Sequence, residues 1–126
     1  MPETWLHLLQ DPLTRELVIK SIYELFKRWH IHPLNQAELL GLSDMSELEH
    51  YVSAGKESEV FERIGHLLAI DRVLVMLFPC QASSRNQWIW QEQAQLRNIT
   101  PMALMLRQGV DGMKLIRLIL QLQQAA

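Results

Sequence analysis

Three prolines, Pro12, Pro33 and Pro101, each stand at the head of an apolar run with three-and-four spacing. A proline fixes φ near the helical value and has no N–H to lose, so it suits the first position of a helix and little else in regular structure. Asp11 before Pro12 and Thr100 before Pro101 are side chains that cap a helix start. Gly41 and Gly109 stand where such runs stop, the place of a residue that must leave the right-handed helical region. No alternating apolar and polar pattern of strand length, and no internal repeat, stands out between these marks. The chain is therefore expected to be all-α.

Along that frame, Leu13, Leu17, Val18, Ile22, Leu25, Phe26 and Trp29 predict one face of a helix running to about Trp29, with Lys20, Lys27 and Arg28 left to solvent. Two short helices follow, one from Pro33 to Gly41 and one capped by Ser43 and ending at Gly55. A glycine turn between short helices is the pattern of a helix-turn-helix, although any small bundle uses the same marks. The longest helix runs from Ser58 towards Pro79 with Val60, Phe61, Ile64, Leu67, Leu68, Leu74, Leu77 and Phe78 as its apolar stripe. A further helix from Ser83 or Ser84 carries Trp88 and Trp90. The last hairpin has Thr100 and Asp111 as caps and Gly109 between its helices. Its final helix is expected to bury Met113, with Ile116 or Leu115, and Leu118, Ile119 and Leu122. If the hairpin serves as a plug for another protein, Met113, Ile116 and Leu120 are expected to bury one stripe against the chain's own core. Trp29 and Trp88, both on apolar faces, are expected in the core.

At 126 residues and 48% apolar content the chain can bury a core without staples. A net charge of −2 supplies no global field for nucleic acid or anionic membranes, so any such binding is local. Cys80 is the single cysteine, which rules out an internal disulfide and fits a reducing, cytoplasmic setting. It reads as a small, partly buried residue. The most apolar run is broken by Asp71 and Arg72, and no signal peptide or membrane span is expected. His30 and His32 lie two apart, off a shared helix face, and read as helix-end or surface residues. Glu59 and Glu62 read as a solvated face. Without a phosphate loop, nucleophile elbow or zinc-helix motif, neither an enzyme nor a metal or cofactor is expected. Charge is unevenly spread: Glu38, Asp44, Glu47, Glu49, Glu57, Glu59 and Glu62 face only Lys56 in the middle of the chain. Beyond that, Arg72, Arg85, Arg97, Arg107, Lys114 and Arg117 outnumber Glu92 and Asp111.

The segments LFKRW (Leu25 to Trp29), AELLGLS (Ala37 to Ser43), FERIGHLLAIDRVLVMLFP (Phe61 to Pro79), the Gln87–Trp88 pair and TPMALMLRQGVDGMKLIRLIL come in an order that resembles the Xre/MbcA/ParS antitoxin family. The resemblance implies a helix-turn-helix-like N-terminal region over 1–56 and a toxin-binding helical domain over 57–126. It implies an antitoxin that covers the active site of an NAD-degrading RES-domain toxin and contacts its own operator DNA, with a homodimer expected. Arg107, Lys114, Arg117 and Gln121 are the candidate toxin-binding residues, with the three cations expected to face outward from the hairpin. Lys27, Arg28, Asn35, Ser43, Ser46, His50 and Lys56 are the candidate DNA contacts. The alternative is a DNA-binding regulator without a cognate toxin.

Overall fold

A computed structural model of the chain describes residues 11–49 and 57–125. Among these residues there are seven α-helices, two 3-10 turns and no strand, only an isolated bridge between Gln93 and Ile99. The helices are α1 (Pro12–Arg28), α2 (Pro33–Leu40), α3 (Ser46–Glu49), α4 (Glu57–Leu77), α5 (Ala82–Gln87), α6 (Pro101–Gln108) and α7 (Val110–Ala125). The 3-10 turns are Trp88–Trp90 and Ala94–Leu96. The chain divides into two compact units, Met1–Gly65 and His66–Ala126, and the division falls within α4. No helix among the described residues is long and apolar enough to cross a membrane.

In the first unit, the Asp11 side chain accepts a hydrogen bond from the Leu13 N–H, and Pro12 opens α1 as its position predicts. The helix ends with His30 at φ 55°, where His30 N–H reaches Lys27 O and Ile31 N–H reaches Phe26 O. That paired bond is a left-handed helix stop, made here without glycine. His32 caps α2, its Nδ1 accepting from Leu34 N–H at 3.2 Å. Both histidines are thus helix-end residues. The left-handed Gly41 (φ 74°) closes α2. Ser43 does not cap α3. Asp44 does so instead, its carboxylate accepting from Ser46 N–H at 2.7 Å, because the helix starts at Ser46, two residues later than a cap at Ser43 would set. The expected end at Gly55 lies outside the described residues.

The core of this unit is Ile22, Leu25, Phe26, Trp29, Ala37, Leu39, Leu40, Leu48, Val60, Phe61 and Ile64, all buried. Leu13 and Leu17, expected on the same face, are exposed. The buried stripe of α1 starts only at Ile22, with Val18 and Ile19 half-covered. Arg63 Nη1 donates to Leu39 O at 3.1 Å, joining α4 to the last turn of α2, and Tyr23 Oη donates to Met45 O at 3.4 Å.

In the second unit, α4 buries Leu67, Ile70 and Leu74, while Leu68, Leu77 and Phe78 of the expected stripe are only half-covered. The segment with the tryptophans is not one helix. The α5 helix ends at Gln87, and Trp88 and Trp90 fall in the 3-10 turn, with Trp88 and Ile89 buried and Trp90 exposed. Cys80, expected to be partly buried, is exposed after Pro79.

Candidate functional site

The C-terminal hairpin is built from its caps inward. Thr100 Oγ1 accepts from Ala103 N–H at 3.1 Å, and Pro101 opens α6, which buries Pro101, Met102, Leu104 and Met105. Gly109 turns the chain with φ 61° and ψ −130°, a backbone region closed to side-chain-bearing residues. The next helix then begins at once. Asp111 is not its cap, as the sequence suggests, but stands in its first turn, because Val110 is already helical and Met113 N–H bonds back to Gly109 O. A carboxylate in a first turn is favoured by the helix dipole.

Gly112 sets which side of α7 is buried. A Cβ there would lie 2.8 Å from Leu104 O and 3.2 Å from Met105 Cα, so α7 lies backbone-close against α6 at that point. With Gly112 inward, Met113, Ile116 and Leu120 form the buried stripe. Of the broader set expected, Met113 and Ile116 are buried and Ile119 is half-buried, and Leu120 completes the inward stripe. Leu115, Leu118 and Leu122, the other candidates for burial, are 39%, 51% and 62% exposed. They are spaced three and four apart and make an apolar row along the outer side of α7.

The charged candidates do not all behave alike. Arg107, Lys114 and Gln121 are exposed, Arg107 in the last turn of α6. Arg117 differs from the outward position expected of it. It is half-buried, and its Nη1 lies 2.9 Å from Nδ1 of His66. A guanidinium offers only donors, so Nδ1 accepts and the ring proton sits on Nε2. His66 itself is buried, at 4% exposure. The sequence reading passed over it, although a single histidine inside the stripe Ile64, Leu67, Ile70 is a signal that could have marked it. A second contact from α7 to α4 lies nearby in sequence, Gln124 Nε2 against Met76 Sδ at 2.9 Å.

For the DNA candidates, Lys27 and Arg28 are exposed in the last turn of α1, where cations also complement the helix dipole. Asn35 is half-buried in the first turn of α2, Ser43 is exposed in the turn after Gly41, and Ser46 is exposed as the first residue of α3. His50 and Lys56 lie outside the described residues. Hydrogen bonds from the Ser46 backbone and hydroxyl hold the Asp44 carboxyl below its ordinary pKa, so a negative charge is fixed at the start of α3. Glu59 is solvated and pairs with Arg63 at 3.6 Å, while Glu62 is half-buried.

No cluster of three potential metal ligands occurs among the described residues. No protein-family model matches the chain, and no curated protein matches it.

Proposed function

We propose that this protein is the antitoxin of a type II toxin–antitoxin pair and that it neutralises an NAD-degrading RES-domain toxin by seating the α6–α7 hairpin over the toxin's active site. The observation that carries the reading is the outer row Leu115, Leu118 and Leu122 on a helix whose opposite stripe already fills its own core. A helix with one apolar stripe buried and a second one exposed has a face to spare for another protein.

The magnitudes say what else the contact needs. Three leucines roughly half exposed can contribute about 3 kcal/mol when covered. Association costs about 4–15 kcal/mol before any net affinity appears. The leucine row is therefore an anchor, and the exposed Lys114, Arg107 and Gln121 supply the polar part of the surface. A pocket that takes the pyrophosphate of NAD opens among polar and charged groups, and acidic ones at its rim would pair with these cations.

Operator contact belongs to the α2–turn–α3 segment in this reading. Its acids, Glu38, Asp44, Glu47 and Glu49, repel phosphate, so duplex binding by the chain alone is weak and falls steeply with salt. Two copies held together on two half-sites by toxin bind more tightly through avidity.

The test is co-expression with a RES-domain toxin and measurement of cellular NAD. The wild-type chain preserves NAD and co-purifies with the toxin. Leu118→Asp combined with Lys114→Ala keeps the circular-dichroism melt yet lets NAD fall. Full neutralisation by that double variant, or a wild-type chain that neither binds nor neutralises, overturns the proposal.

A further inference from the structure

We infer that His66 is a positioning residue that holds the Arg117 guanidinium ready for a carboxylate on the protein partner, an inference that rests on the antitoxin reading above. Among the described residues Arg117 has one hydrogen-bond partner, the His66 ring, and no acidic one. Arg117 is half-buried and its charge is not neutralised within the unit, so it stays available to a carboxylate brought by another protein. The neutral ring compensates one of five N–H donors and leaves the rest of the fork unmatched within the unit. What the contact does achieve is orientation: a long side chain that would otherwise sample many rotamers is fixed from beneath by a buried residue on α4.

The surroundings select the ligand. Lys114 and Gln121, three residues before and four after Arg117, share its side of α7 and are exposed. The leucine row lies next to them around the helix. An anion that binds here must come with apolar surface beside it, which fits an aspartate or glutamate on a folded protein. The planar fork of arginine also matches a carboxylate through two parallel hydrogen bonds, which lysine cannot do.

The test has one arm without the partner and one with it. In the first, nitrogen-15 NMR on the full chain reads the His66 tautomer and the Arg117 Nε–H, which is then titrated with acetate. The inference expects a proton on Nε2, a slowly exchanging Arg117 signal that responds to acetate, loss of both Arg117 properties in His66→Leu, and their retention in His66→Gln, which keeps an acceptor. In the second arm, affinity for the RES-domain toxin falls about 30-fold or more in Arg117→Met and His66→Leu. It stays near wild type in His66→Gln, and the double variant His66→Leu/Arg117→Met is no weaker than Arg117→Met alone. Arg117→Lys, which leaves the buried ring untouched, keeps the charge and still loses about tenfold, so the inference remains open to refutation if His66→Leu does not fold. A proton on Nδ1, an Arg117 signal indifferent to His66, or full affinity in Arg117→Lys overturns it. A wild-type chain that fails to bind the toxin while the first arm behaves as expected overturns the antitoxin reading and the partner assignment, not the positioning contact.

Discussion

Replacing Gly112 with alanine sets two physical effects against each other, and the structure decides the sign. Helix propensity alone favours the change by up to about 1 kcal/mol, since glycine is the poorest helix former after proline. The new Cβ, however, would stand 2.8 Å from Leu104 O and 3.2 Å from both Leu104 C and Met105 Cα. All three are backbone atoms of α6, so no rotamer change relieves the contact, and the two helices must separate by several tenths of an ångström. That separation loosens the packing of Met105 and Met113, both almost fully buried. Overpacking of this kind costs about 1–3 kcal/mol in well-packed interiors, to which lost contacts add. A net destabilisation of about 1–2 kcal/mol is expected, or a fall in melting temperature of roughly 5 °C or more for a unit of this size. Calorimetry or a circular-dichroism melt reads it directly. A Gly112→Ala variant that melts higher than wild type would falsify the argument that α6 and α7 meet backbone to backbone.

Trp88→Ala removes a side chain that is 5% exposed and is expected to cost about 3–5 kcal/mol, so an unchanged urea midpoint would exclude Trp88 from the core. Arg97 is exposed and left-handed (φ 57°, ψ 41°), so Arg97→Gly relieves strain and raises stability by about 0.5–1 kcal/mol in denaturant titration; a loss would mean that the side chain has a stabilising role. The lowered pKa of Asp44 in the folded chain means that its cap is fully effective above the ordinary carboxyl value of 3.8 and is lost as pH falls through the lower folded value. Carboxyl carbon shifts of Asp44 followed against pH give that midpoint, and one at or above 3.8 contradicts the cap.

The helix ends were legible in the sequence because capping is a short-range matter. Asp11 with Pro12, Pro33, the left-handed Gly41, Thr100 with Pro101, and the break at Gly109 each act within a few residues, and the backbone found at each is the one its own side chain prefers. The failures near helix starts were just as local. Serine and aspartate cap almost equally well, so Ser43 and Asp44 could not be ranked without knowing where α3 begins. What the sequence left open was which side of each helix is buried. The last helix carries leucines and isoleucines around most of its circumference, and two stripes satisfy its period equally. The close approach at Gly112 turns Met113, Ile116 and Leu120 inward and leaves Leu115, Leu118 and Leu122 outside. The same holds for Leu13 and Leu17, apolar at the right spacing yet exposed, and for Arg117, whose partner His66 is 51 residues away. Periodicity records that a helix has an apolar face. Which face meets a neighbour, and which polar group waits there, depends on contacts between residues far apart in the chain, and only the packed structure contains them.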